Sequence, residues 1–111
     1  MEDCLFCKII AGDIPSSKVY EDDLCYAFND IDPQAPTHFL VIPKQHIDAV
    51  ASITADNSAV VAKCFEVAKI AKERGMDSFR VVSNIGEQAG QSVFHLHFHV
   101  LSGRDMTWPP G

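Results

Sequence analysis

The sequence predicts an α+β domain built on a mostly antiparallel sheet. Short apolar runs bounded by turn residues recur at 18–21, 25–29, 38–42, 79–83 and 93–101 and read as strands. Only one long stretch, residues 54–74, carries helical periodicity, and it falls between the middle strands. Strands and helices therefore do not alternate as regular βαβ units, which argues against a parallel sheet.

The elements follow in order. Residues 5–11 read as a short helix closed by Gly12, with Pro15 just beyond. The runs at 18–21 and 25–29 are strands joined by an acidic turn at Asp22 and Asp23. Residues 30–38 hold Pro33 and Pro36 and read as a loop. The apolar run from His38 is a central strand that Pro43 stops. The long helix takes Thr54 as N-cap and Asp56 in its first turn; Lys72 and Arg74 fall in its last turn, before Gly75. Val61, Cys64, Phe65, Ala68 and Ala71 form its core-facing stripe. Val60, Val67 and Ile70 widen that stripe, and only Lys63, Glu66, Lys69 and Glu73 make a polar ridge. A helix this apolar buries a second face, against a homodimer partner or under a sheet that curves around it. Phe79, Val81 and Ser83 share one side of the strand at 79–83. The polar loop 84–92 leads into the last strand, 93–101.

A chain of 111 residues makes one domain, here spanning 1–111. Its 47% hydrophobic and 22% charged residues are ordinary for a soluble globular protein. A formal net charge of −6 with no basic block speaks against binding DNA or RNA backbone. An acidic chain that handles an anion must make its positive potential locally, from backbone N–H groups and a few cations. The first apolar stretch is short and interrupted by Lys8, so it is neither a signal peptide nor a membrane span, and the expected location is cytoplasmic. A disulfide framework belongs to secreted chains. Cys25 and Cys64, among apolar neighbours, read as buried core thiols.

The stretch FHLHFHV, residues 94–100, places three of the five histidines at alternate positions. On a strand, His95, His97 and His99 share one face, about 7 Å between neighbours, while Leu96, Phe98 and Val100 face the core helix. Three readings compete: half-exposed strand positions, metal ligands of the His-x-His kind, and acid–base or nucleophilic catalysis. The preceding loop bears on the choice. Gly86 and Gly90 free the backbone to turn N–H groups towards an anion, and Gln91 and Ser92 add side-chain donors. Leading directly into the histidines, the loop reads as a phosphate cradle.

The segment GQSVFHLHFHVL resembles the signature of the histidine-triad (HIT) family, in which three histidines alternate with apolar residues. AFNDIDPQAPTHFLVIPKQH is similar to another block of that family, and GRDMTWPPG resembles the end of its nucleotide-binding, phosphoramidase branch. The likeness runs from Cys4 to Gly111. It implies a five-stranded antiparallel sheet with one long and one short helix, and a homodimer whose strands continue across the interface. It also implies hydrolysis at the α-phosphate of a purine nucleotide of AMP or GMP type, above all the P–N bond of an adenosine 5′-phosphoramidate. By position, His97 is the implied nucleophile, His99 a phosphate contact and His95 the residue that orients His97. Ser92 and Asn84 are implied at the phosphate or leaving group, with Gly90 and Gln91 beside them. Asp30 is implied at the ribose hydroxyls, and Phe28, Ile31, His38 and Leu40 at the base. Trp108, in the tail 102–111, is implied near an active site, its own or a partner's. A dinucleoside polyphosphate hydrolase and a non-catalytic nucleotide-binding or adaptor dimer stay open as alternatives. His99 argues against the transferase branch, where the likeness would call for Gln.

The chemistry agrees with that assignment. A phosphoramidate needs a nucleophile unrepelled by the phosphate, and neutral imidazole adds no negative charge. Neighbouring imidazoles and N–H groups stabilise the equatorial oxygens before water takes the nucleotide from the covalent histidine. Cys4 and Cys7 form a C-x-x-C pair that, alone, fits a redox pair, inert thiols or half a zinc site. The opening CLFCKIIAGDIP resembles bacterial-type members that hold zinc on both cysteines, a histidine after Pro-Lys, and the first triad histidine. Here those are His46 and His95. A closed four-ligand zinc site is structural and leaves His97 and His99 for chemistry. Whether His95 serves the metal or the nucleophile stays open at this level.

Overall fold

The computed structural model describes residues 3–110; Met1, Glu2 and Gly111, the ends of the expected domain and tail, lie outside them. Helix α1 (Leu5–Ala11) is followed by strands β1 (Lys18–Glu21), β2 (Cys25–Asn29) and β3 (Thr37–Pro43). Helices α2 (Ser58–Ala68) and α3 (Ile70–Glu73) then lead to β4 (Phe79–Val82) and β5 (Phe98–Ser102). The five strands form one antiparallel sheet in the order β1-β2-β3-β5-β4, the α+β architecture expected.

Local chemistry explains the early elements. Gly12, at φ 84°, ends α1 as its N–H and that of Asp13 close on the carbonyls of Ile9 and Lys8. Between β1 and β2, Asp22 Oδ1 accepts the N–H groups of Leu24 and Cys25, both at 2.8 Å. That carboxylate holds the acidic turn.

Alternation along the strands gives the sheet two apolar faces. Cys25, Ala27, Phe39, Val41, Phe98 and Val100 pack with Val61, Cys64, Val67, Ala68 and Ala71 of α2 and α3. Tyr26, Phe28, Leu40 and Ile42 pack on the other side with Phe6 and Ile9 of α1. His38 and His99 belong to this second face, in register beside Leu101 and Leu40.

Four expectations need correction. The helix begins at Ser58, not after Thr54, because Thr54 is used in a turn: its Oγ1 accepts Asp56 N–H, and its own N–H goes to Asn57 Oδ1. The helical run is also divided at Lys69, whose N–H bonds the carbonyl of Glu66, a tightened turn. Phe65, expected in the core stripe, is 49% exposed at its edge, its ring 4.8 Å from that of Phe98. Finally, β5 starts at Phe98 and not at Val93. Val41 pairs with Phe98, so Pro43 stands two steps further along the register, with no N–H to continue the ladder.

Candidate active site

The ring centroids of His97 and His99 lie 5.1 Å apart on the α1 side of the sheet, but His95 does not join them. Its ring is fully buried among Cys4, Cys7 and His46. The face expected to present three imidazoles therefore presents two. His97 Nδ1 lies 2.7 Å from the carbonyl oxygen of His95. A carbonyl only accepts, so Nδ1 carries the proton and Nε2 keeps its lone pair. Among the described residues nothing hydrogen-bonds that Nε2. What orients His97 is the backbone of His95, whose ring turns instead to Cys4, Cys7 and His46.

A longer chain of bonds sets His99. The Gln34 N–H donates to His38 Nδ1 at 3.1 Å, which leaves the His38 proton on Nε2. That nitrogen is 2.9 Å from His99 Nδ1 and 3.4 Å from Asp30 Oδ2. His99 Nδ1 is then the acceptor, and its own proton sits on Nε2. Asp30, His38 and His99 have the composition of a metal triad. A metal on His38 Nε2 would require a proton on Nδ1, where Gln34 already donates. The three are better described as a hydrogen-bonded network. Burial lowers the pKa of each ring: that of His99 falls to about 4, with His97 and His38 adding and Asp30 opposing. For His97, burial outweighs the His95 carbonyl and Asp30; for His38 it outweighs Asp30 and Asp32. The rings are neutral at neutral pH.

In front of them lies a cleft of about 240 Å³. Phe28 and Leu40 of the sheet, Ile31, Ser92 and Val93 of the loops, and Leu5, Phe6 and Ile9 of α1 form its walls. The α1 residues escape a motif reading, since they resemble any apolar helix face; half-exposed Leu5 is their one signal. Asp30 also lines the cleft, its Oδ1 accepting Asp32 N–H at 2.8 Å. Among the described residues no lysine or arginine does, so a bound anion depends on N–H groups and neutral imidazoles. His38, expected against a base, stands instead behind His99.

The loop before the histidines divides its residues differently from expectation. Ser92 is exposed at the cleft, and Gly90, at φ 101°, has the amide of Asn84 packed beside it. Gln91 is buried, and its side chain is bonded to Gly86 N, Asp48 O and Val93 O. It has no free donor for a phosphate. Trp108 is 82% exposed and does not line this cleft of its own chain. The tail is held elsewhere, by Arg80 donating to Thr107 O and Arg104 to Gln34 O.

Cys4, Cys7, His46 and His95 bring four donor atoms within 4.8 Å of one another. His95 Nδ1 is 3.3 Å from Cys4 Sγ and 3.5 Å from Cys7 Sγ, and His46 Nδ1 is 3.4 Å from Cys7 Sγ. The opposite nitrogens donate to Pro43 O and to Asp48 Oδ1, each at 2.8 Å. Both imidazoles therefore turn unprotonated Nδ1 atoms to the thiols, the tautomer a metal ligand needs. Burial, with Cys4 alongside, pushes the Cys7 thiol up to about 11. Two sulfurs and two imidazole nitrogens fit a metal site of the tetrahedral kind. A cleft of about 580 Å³ lined by Asp3 and Asp48 opens onto Cys4 and His46. Cys25 and Cys64 lie in the core as expected, their sulfurs 3.5 Å apart. Among the described residues, no helix is long and apolar enough to cross a membrane.

Comparison with known proteins bears on this arrangement. Residues 11–106 match the family described as HIT domain. An uncharacterized HIT-like protein of Synechocystis sp. is 48% identical over 112 residues, spanning 99% of this chain and 98% of that one. A HIT family hydrolase from Legionella pneumophila Philadelphia 1 superposes with a TM-score of 0.95 at 47% identity, over 98% of this chain and 100% of the other. A histidine triad protein from Clostridium difficile gives a TM-score of 0.91 at 49% identity, over 96% of each chain. With family, relatives and solved structures agreeing along almost its whole length, the chain belongs to the histidine-triad (HIT) family.

Proposed function

We propose that this protein is a nucleotide hydrolase that cleaves the P–N bond of purine nucleoside 5′-phosphoramidates, of AMP or GMP type, through a covalent nucleotidyl-His97. The observation that carries the proposal is the state of His97: a neutral ring lining the cleft, its proton pinned on Nδ1 and Nε2 left free. That lone pair attacks the α-phosphorus, a P–N bond to His97 forms, and the substrate's P–N bond breaks as the leaving amine takes up a proton from solvent, which the water of the second step returns. Positive charge growing on the ring is stabilised by the His95 carbonyl, 2.7 Å from Nδ1. His99 Nε2–H donates to a phosphoryl oxygen, held in that tautomer by His38. Ser92, Asn84 and the backbone at Gly90 add donors around the phosphate. Asp30 accepts from the ribose, and Phe28, Ile31 and Leu40, with Phe6 and Ile9, enclose the base. Water then attacks the phosphorus of the intermediate, releasing the nucleotide and restoring His97.

Cys4, Cys7, His46 and His95 hold zinc in a closed structural site, which supplies rigidity and takes no part in the reaction. The protein works as a homodimer: the edge strand β4 and half-exposed Phe65 offer the surface a second copy covers. Trp108, exposed on its own chain, then serves the partner's cleft. Four free thiols suit a cytoplasmic location.

The test compares wild type and His97→Ala on an adenosine 5′-phosphoramidate and a diadenosine polyphosphate. Fast turnover of the first, lost in the variant, with a nucleotidyl adduct on His97 seen by mass spectrometry after rapid quenching, supports the proposal. Preference for the diadenosine compound reassigns the substrate class. Equal turnover by both proteins removes His97 as nucleophile. Tight AMP binding with no turnover of either compound leaves a binding module.

A further inference from the structure

The thiol–imidazole cluster and the nucleotide cleft are joined by one buried side chain. Gln91 is 3% exposed, and its amide is spent within the chain. Oε1 accepts Gly86 N–H at 2.9 Å, while Nε2 donates to Asp48 O at 2.9 Å and Val93 O at 3.2 Å. Asp48 also holds His46 through its carboxylate, 2.8 Å from Nε2. Gly86, in the loop that ends at Ser92, has φ 86°, a conformation glycine alone holds readily. Two further struts run alongside. Leu96 N–H donates to Ile47 O at 2.6 Å, and His97 Nδ1–H to the His95 carbonyl at 2.7 Å. Residues 46–48 are therefore tied to the phosphate loop on one side and to the His97 segment on the other.

We propose that Gln91 is a positioning residue that couples the two sites, so that metal loading at the cluster tightens nucleotide binding and bound nucleotide tightens the hold on the metal. This rests on the zinc and nucleotide sites proposed above. Without a metal, the four donors meet only through thiol–imidazole contacts of 3.3, 3.4 and 3.5 Å. Metal–ligand bonds of about 2.0–2.3 Å fix His46 and His95 far more tightly, and with them the Asp48 carbonyl. Gln91 then has a stationary acceptor on one side and holds the Gly86 amide on the other. The coupling is reciprocal: each ligand changes the other's affinity by the same factor, commonly about 5- to 150-fold.

The experiment titrates AMP calorimetrically into zinc-loaded protein and into reduced, chelator-stripped protein, with zinc content measured on both. The zinc form binds AMP about fivefold or more tightly. A chromogenic-chelator titration of wild type, with and without AMP, gives a zinc affinity shifted by the same factor. Gln91→Met keeps the shape but removes the amide, and its AMP affinity becomes independent of zinc. If the variant weakens AMP equally in both forms, Gln91 merely props the loop and the assignment is overturned. Equal AMP affinity of the two wild-type forms, at full measured zinc occupancy, overturns the coupling and leaves both sites standing. Failure to take up zinc, or to bind AMP when loaded, refutes the reading of the sites and the coupling with it. The chelator titration needs no variant, so it decides whether the two sites are coupled even where Gln91→Met does not fold.

Discussion

Acidification tests the hydrogen-bond chain behind His99. The side chain is 21% exposed and is faced by His97 from the segment before it, His38 from β3 and Asp30 from the loop after β2. Burial and the two imidazoles lower its pKa to about 4 against the pull of Asp30. In the unfolded chain the same ring takes its proton near about 6.5. Below that pH the unfolded state binds a proton the folded state refuses. The stability that neutral His99 contributes is therefore complete above about pH 6.5 and drains as pH falls towards the folded value. The slope is about 1.4 kcal/mol per pH unit. Across the interval this amounts to ~3 kcal/mol. The assay is an NMR titration of the imidazole signals, with His99→Gln identifying the ring. The His99 signals hold their neutral positions down to about pH 5 and move only near the depressed value. In His38→Gln the midpoint rises, because a neighbouring imidazole that disfavours the charge is gone. A wild-type midpoint near about 6.5 would refute the buried network.

Other substitutions probe the walls and struts. Phe6→Ala removes a ring 5.5 Å from Phe28 and 5.1 Å from His97. Urea denaturation should show a loss of about 3–5 kcal/mol, and a loss below about 1 kcal/mol would mean that α1 does not seal the cleft. Asp48→Ala strips His46 of its acceptor and should lower zinc affinity about 10- to 100-fold in chelator competition; unchanged affinity would deny the carboxylate that role. At Gly103, φ is 96° and a Cβ would stand 2.9 Å from Pro36 Cβ. Gly103→Ala should cost more than about 1 kcal/mol in thermal unfolding, and a neutral effect would mean that the turn relaxes freely.

Much of this architecture was legible because its signals are local. Gly12 closes α1 where its freedom is needed, and Asp22 holds its turn through amides two and three residues on. The helix start was harder, since Thr54 offers the same hydroxyl to a cap or to a turn and uses it on Asp56. Phe65 follows the helical period yet lies at the stripe's edge, because which side is covered depends on where the sheet ends. Spacing alone singles out His95, His97 and His99 together, without separating His95 from the other two. What sets their protons could not be read from it, because the partners are distant and often backbone. His38 lies 61 residues before His99, and the Pro43 carbonyl 52 before His95. Backbone acceptors leave no mark in residue type. Gln91 shows the converse: a glycine-flanked polar residue looks like a phosphate donor, and only its burial reveals a brace.

The point where the sheet stops decides how the histidines divide their work. Had pairing continued from Phe98 back to Val93, alternation would have set His95, His97 and His99 side by side, each facing the same solvent-filled cleft. Pro43 prevents this by withholding an N–H at the position the ladder needs. In the segment so released, the Leu96 amide finds Ile47 and the His95 ring turns to the cysteines, with Pro43 itself accepting its proton. The His95 carbonyl is then free to accept from His97 Nδ1, which leaves the ring's lone pair on Nε2. Regular pairing resumes at Phe98, where His99 meets Leu40 in register and reaches His38 on the same strand. The imino acid that ends β3 thus separates a ring turned to the cysteines from one turned to the cleft two residues away. A triad read only as three like residues on one strand hides that division, because the difference lies in what each ring's second nitrogen touches.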